Sequence, residues 1–237
     1  MKPQKIWFKN SKGQRLAGLL WTPKRYKHTI VFVNSFGGTK EEWTEPPPSW
    51  PDDLVKQNYR VLAFDFRGRG ESEGNYLETT LQTNVDDLVS AINYLKSKVT
   101  LVGASFGGTT AIYVAAKNKS AECLVTMAAP HSFWASEGIV FDDKKRIATG
   151  KKQWQKFSYA FLESYNKNKM LQQAGKIKVP WLITHGDKDK LVPMKNAKEY
   201  YGAAKCVKKL QISHIRIYYR SSISNVLVQS CILFKPW

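Results

Sequence analysis

A serine hydroxyl can act as a nucleophile when the backbone presents it on a tight turn, and one stretch of this chain has the residues for that. Gly103, Ser105 and Gly107 stand in the spacing G-x-S-x-G. An apolar run, Val99 to Val102, precedes them, and Ala111, Ile112 and Ala115 follow at helical spacing. The pattern predicts a buried strand, a strained turn carrying Ser105, and a helix. Glycine is needed on either side because a side chain there would collide with neighbouring backbone. Two glycines around a serine occur often by chance; the strand before and the helix after give the motif its weight.

The remaining elements must position that turn. Trp7 to Phe8 and Leu16 to Trp21 read as two opening strands around a polar turn at residues 10–13, with Pro23 closing the second. Ile30 to Val33 is a continuous apolar run, as a central parallel strand requires, and leads into Asn34-Ser35-Phe36-Gly37-Gly38. After Pro46-Pro47-Pro48, Trp50 to Gln57 reads as a short helix. Val61 to Phe64 is a further buried strand and runs into Asp65-Phe66-Arg67-Gly68-Arg69-Gly70-Glu71-Ser72. That loop is not a dinucleotide site, because G-x-G-x-x-G needs glycine where Glu73 stands. Val85, Leu88, Val89, Ile92 and Leu95 recur at helical spacing, with Thr83 or Asn84 as the cap. Leu124 to Met127, Val179 to Thr184 and Lys209 to Ile212 are three later strands, and Met194 to Tyr201 is a helix. Strands and helices in alternation predict an α/β fold with a mostly parallel sheet covered on both faces.

Residues 131–176 break that rhythm. Phe133, Trp134, Phe141, Trp154, Phe157, Tyr159, Phe161 and Tyr165 appear among lysines, and no strand is expected. The stretch reads as a helical insertion, so the chain divides into a core part at 1–130, a lid at 131–176 and a second core part at 177–237. Singly, each aromatic is accounted for by packing the insertion on the core. Together they can roof an apolar pocket, with Phe133, Trp134 and Trp154 as the candidate substrate contacts.

Composition bounds the rest. A chain of 237 residues with 43% hydrophobic and 24% charged residues has the balance of a soluble globular protein. Nothing near Met1 resembles a signal peptide and no apolar run reaches the ~20 residues that span a bilayer, so no membrane partner is expected. Cys123, Cys206 and Cys231 show no metal-ligand spacing and read as buried thiols, which makes the cytoplasm the expected compartment. The net charge of +18 favours acidic partners. Its 37 basic residues are scattered and accompany no nucleic-acid motif, so the excess reads as a basic exterior, not a nucleic-acid interface. The sequence leaves the oligomeric state open.

Three separate pieces together resemble the α/β-hydrolase family: the Ser105 turn, Asp65-x-Arg67-Gly68-x-Gly70-x-Ser72, and His185-Gly186-x-x-Asp189-x-x-Val192-Pro193. The likeness covers roughly residues 5–212, with 131–176 matching the family's variable lid. It is greatest to the small esterases, including the cinnamoyl/feruloyl-esterase-like and serine-aminopeptidase-like branches. The resemblance implies that Ser105 is the nucleophile and that an acid and then a histidine follow it in the chain. Asp187 and Asp189 compete for the acid, and the pattern G-x-x-D-x-x-V-P favours Asp189. Of the four histidines, His28 precedes the third strand, His131 opens the lid where it can meet substrate, and His185 precedes the glycine of the acid loop. His214 alone follows the acid, which makes it the base. The oxyanion donors implied are the backbone N–H groups of Phe106 and Phe36. No metal and no organic cofactor are implied.

Two departures from the family stand out. Many relatives have His-Gly where this chain has Asn34-Ser35. The family also places several residues between the last strand and the histidine, whereas here Ile212 and Ser213 lead directly to His214. Residues 200–237 contain no Asp or Glu, and a change of reading frame near position 212 would account for such an atypical tail. The leading expectation is a serine hydrolase that cleaves carboxylic esters of small molecules through an acyl-enzyme. The alternatives are a peptidase or amidase with the same machinery, which an acidic amino-terminus pocket would mark, and a non-catalytic binding protein on the same fold. Ser105 excludes the haloalkane and epoxide hydrolases, whose nucleophile is aspartate.

Overall fold

The computed structural model describes residues 1–44, 49–132, 140–142, 147–149 and 156–214 of the chain. Its centre is an eight-stranded sheet in the order β1-β2-β4-β3-β5-β6-β10-β11. The strands are β1 (Gln4–Lys9), β2 (Arg15–Trp21), β3 (His28–Val33), β4 (Tyr59–Phe64), β5 (Val99–Ala104), β6 (Ala121–Met127), β10 (Trp181–Gly186) and β11 (Lys208–Ser213). β1, β2 and β4 pair antiparallel, and every later pair is parallel. Each strand expected from the sequence up to Met127, and both after the insertion, is present.

The apolar runs are continuous because both faces of the sheet are covered. Val31, Val33, Leu62, Phe64 and Leu101 point into one core with α2 (Leu81–Leu95), α3 (Phe106–Ala115) and α6 (Lys195–Ala203). Ile30, Phe32, Val61, Ala63 and Val102 point into the other, against Trp43 and α1 (Trp50–Lys56). Burying each such side chain contributes about 1.5–3 kcal/mol, which makes the two cores the main source of stability.

Local signals set the helix starts. Ser49 caps α1 in a reciprocal capping box with Asp52. α2 begins earlier than its apolar periodicity indicates: Thr80 is the cap, and Thr83, one of the expected caps, is its capping-box partner at the third helical position. Two hydroxyls three residues apart satisfy the first amides there without any acidic residue.

The insertion differs from the expectation of helices alone. β7 (Val140–Asp142), β8 (Ile147–Thr149) and β9 (Lys156–Ser158) form a separate three-stranded antiparallel sheet, followed by α4 (Tyr159–Lys167) and α5 (Met170–Ala174). Strands of three residues are too short to display a period of two, so the sequence could not announce them. Cys206 is a free thiol. Among the described residues no helix is long and apolar enough to cross a membrane.

Candidate active site

Ser105 lies between the end of β5 and the first residue of α3, at the carboxyl edge of the parallel strands where open α/β sheets place their ligands. Its backbone is at φ 51°, ψ −124°. A non-glycine residue there carries about 1–3 kcal/mol of strain that its surroundings must hold. Ser105 N–H donates to Met127 O at 2.8 Å, and its carbonyl accepts from Thr109 N–H at 3.2 Å. The flanking glycines are required by close approach. A Cβ on Gly103 would lie 2.6 Å from Gly107 O, and one on Gly107 would lie 2.2 Å from Asn34 O and 2.3 Å from Val33 O. The turn is therefore wedged against the end of β3, next to the loop implied to supply a second oxyanion donor.

That loop is anchored by side-chain hydrogen bonds although it lacks the family's His-Gly. The buried Asn34 donates through Nδ2 to Phe64 O and accepts from Trp43 Nε1 through Oδ1, both at 2.7 Å. Ser35 donates from its amide and its hydroxyl to Glu42 Oε2, each at 3.0 Å. Phe36 is thereby held with its ring 5.7 Å from that of Phe106 and 5.0 Å from that of Phe161 on α4. Tyr165 completes the cluster, 4.9 Å from the Phe106 ring, and its hydroxyl donates to Phe106 O at 3.2 Å. Burial pushes the Tyr165 hydroxyl above its ordinary range, so it stays a neutral donor. A cleft opens among Ser35, Phe36, Arg69, Phe106, Gly107 and Phe161.

The loop after β4 supports this wall through two ionic clusters, each built on a buried cation and a buried aspartate. The ammonium of Lys40, 2% exposed, meets Asp65 at 2.8 Å and Glu41 and Glu71 at 2.9 Å. Burial opposes that charge, yet the hydrogen bonds to Asp65, Glu71 and Glu41 outweigh it and raise the lysine above its ordinary value. The same contact with Lys40, and one with Lys5, draws Glu71 down to about 2. Arg67 spans Asp86 and the fully buried Asp87. Burial raises the Asp87 carboxyl against the pull of Arg67.

At the acid loop the structure makes a division that the motif does not. β10 and β11 run parallel in a register that pairs Gly186 with Ser213. The next residue of each strand then falls side by side: Asp187 N–H donates to Ser213 O at 3.0 Å, and His214 Nδ1 lies 2.5 Å from Asp187 Oδ2. Asp189, favoured by the family pattern, lies past the turn. Its Oδ1 accepts from the amides of Leu191 and Val192 at 2.8 and 2.9 Å, and its Oδ2 is 3.8 Å from His185 Nε2. The structure thus pairs His214 with Asp187 and gives Asp189 to the loop. The physical reason is the missing spacer after β11, which leaves the histidine opposite the first residue beyond β10. The His214 ring is 88% exposed.

The other histidines are engaged elsewhere. His28 meets Thr100 Oγ1 at 3.0 Å at the opposite edge of the sheet. His131, considered as a substrate contact, lies 2.5 Å from Glu199 Oε2. His185 Nε2 meets Val192 O at 2.8 Å inside the acid loop. Phe133, Trp134 and Trp154 lie outside the described residues. The aromatic residues that do line the cleft are Phe36, Phe66, Phe106 and Phe161, and of these Phe161 alone lies outside the stretches that the motifs single out. Arg69 occupies a variable position of its loop, and no spacing singles it out.

Comparison with known proteins agrees with this architecture. The profile of the alpha/beta hydrolase family matches residues 30–197. The protein YfhR of Escherichia coli K12 is 26% identical over 190 residues, covering 77% of this chain and 60% of its own length, so the chain spans about three fifths of that curated relative. The 3-oxoadipate enol-lactonase 1 of Acinetobacter baylyi is 29% identical over 136 residues, covering 56% of this chain and 48% of that protein. Among solved structures, Est1E of Butyrivibrio proteoclasticus with ferulic acid bound superposes with a TM-score of 0.77 at 18% identity, covering 97% of each chain. With the profile spanning well over half of its residues and the Ser105 turn seated at the edge of the sheet, the chain belongs to the alpha/beta hydrolase family.

Proposed function

We propose that this protein is a serine hydrolase that cleaves carboxylic esters through an acyl-enzyme. The observation that carries the reading is the strained Ser105 backbone, wedged by Gly103 and Gly107 against the loop after β3. In the proposed reaction the Ser105 hydroxyl attacks the ester carbonyl while His214 takes its proton. Asp187, 2.5 Å from Nδ1, orients the imidazole and stabilises the imidazolium. The oxyanion that forms is held by the amides of Phe36 and Phe106, each contributing about 3 kcal/mol. Collapse expels the alcohol, protonated by His214, and water then releases the acid by the same route. Neither a metal nor an organic cofactor enters this scheme. The rings of Phe36, Phe106 and Phe161 beside the turn favour an acyl or aryl group of modest size over a highly polar one.

Support also comes from the names of similar proteins, which include an enol-lactonase, whose substrate is by that name a cyclic ester, and an esterase-like fold neighbour carrying ferulic acid. The test is hydrolysis of 4-nitrophenyl butyrate by the full chain beside Ser105→Ala, with a fluorophosphonate probe to label the serine. Turnover and labelling that both vanish with Ser105→Ala support the reading. A parent protein with neither activity refutes it.

A further inference from the structure

Lys40, Arg67 and Arg69, all in or against the loop after β4, are treated differently. Lys40 is neutralised by Asp65, Glu41 and Glu71, and Arg67 by Asp86 and Asp87. Arg69 has no carboxylate and no carbonyl on its guanidinium among the described residues. Its place is nevertheless fixed: its amide donates to Phe66 O at 3.0 Å, and its carbonyl accepts from Ser72 N–H at 2.9 Å. The guanidinium lies 3.9 Å from the centre of the Tyr76 ring and 5.1 Å from that of Phe36. The acidic residues of the segment are already committed, Glu71 to Lys5 and Lys40, Glu73 to Arg15, and Glu78 to Asn75 Nδ2. Burial of this cation works against its charge, with Tyr76 opposing only in part. A half-buried guanidinium stacked on aromatic faces keeps its in-plane N–H donors for a planar anion.

Arg69 also lines the cleft beside Phe36, Phe106 and Gly107. The cleft is thus apolar along its rings and cationic at one side. We propose that Arg69 is a specificity residue that binds a free carboxylate on the acyl part of the substrate, so that the preferred substrates are monoesters or lactones of dicarboxylic acids. The guanidinium takes the carboxylate in a two-point contact. This rests on the ester-hydrolase reading above, and it adds a chemical class to that reading.

The test compares 4-nitrophenyl hemiglutarate with 4-nitrophenyl pentanoate, which has the same chain length without the charge. With Arg69→Gln, kcat/KM for the hemiglutarate falls about 10- to 100-fold more than for the pentanoate, as expected for losing a charge-assisted pair with a carboxylate. Arg69→Lys restores part of that ratio by keeping the charge without the fork. An equal loss on both esters assigns Arg69 to packing of Phe36 and overturns the proposal, as does no loss on either. Calorimetric titration of the parent with glutarate separates this from failure of the hydrolase reading. Binding that disappears in Arg69→Gln upholds the anion site even if neither ester turns over, and no binding together with no turnover overturns both.

Discussion

Replacing Asp187 and Asp189 separately by alanine tests the division of labour in the acid loop. His214 Nδ1 has Asp187 Oδ2 at 2.5 Å, whereas Asp189 is engaged with the amides of Leu191 and Val192. The imidazolium formed during attack and the Asp187 carboxylate have charge centres about 4 Å apart, so their attraction is worth about 1 kcal/mol in bulk water and about 4 at an effective dielectric of 20. With the His214 ring 88% exposed, the value falls between those limits. Converted at 1.36 kcal/mol per decade, Asp187→Ala should lower kcat by about 5- to 1000-fold. That is less than the ~10⁴-fold seen where the triad carboxylate is buried. The melting temperature should hardly move, because Asp187 orders no second element.

Asp189→Ala should do the reverse. It orphans two amides, and at about 1–3 kcal/mol each, with water reaching the exposed Leu191, the loss is about 2–4 kcal/mol. At about 2–4 °C per kcal/mol for a chain of this size, the melting temperature drops by about 4–16 °C. Rates on 4-nitrophenyl butyrate at 15 °C, normalised to folded protein by circular dichroism, separate the two effects. An Asp189→Ala protein that melts like the parent but has lost turnover, beside an active Asp187→Ala, would show that the working base pairs with Asp189. The Asp187–His214 pair set by the β10–β11 register would then not be the working one.

Two further outcomes follow from the supporting shell. Gly107→Ala should abolish labelling of Ser105 by a fluorophosphonate, because its Cβ would fall 2.2 Å from Asn34 O, a backbone atom that cannot swing away; full labelling would mean that the turn is looser than described. The Lys40 cluster should show in acid: Glu71 is held at about 2 against an ordinary 4.5, so its contribution is complete above pH 4.5 and is lost as the pH falls toward 2. Urea unfolding of the parent and of Glu71→Gln should therefore differ at pH 6 and converge near pH 2, and a gap that stays constant would exclude this linkage.

What could be read from the chain and what could not divide along one physical line. Strands such as Ile30–Val33 and Val61–Phe64 are legible because burial on both faces demands unbroken apolar residues. The Ser105 turn is legible because it needs glycine at two fixed positions, and the backbone atoms they clear, Gly107 O and Asn34 O, belong to the turn itself and to the loop beside it. The pairing of His214 is different. It depends on the register of β10 against β11 and on the length of chain beyond them, and neither is written in local residue types. A motif assigns the acid by counting from Gly186, which presumes the family's spacer after the last strand. Here that spacer is missing, and the same count reaches a carboxylate already claimed by the loop's own amides. Arg69 was unreadable for a related reason. An arginine in a variable position is informative only once its neighbours are known to be neutralised while it meets no carboxylate among the described residues, which is a property of the folded charge arrangement and not of spacing. The same distinction ranks the experiments: substitutions at Gly107 probe what the local sequence dictates, whereas Asp187 and Arg69 probe what this chain's particular tertiary register adds to the family plan.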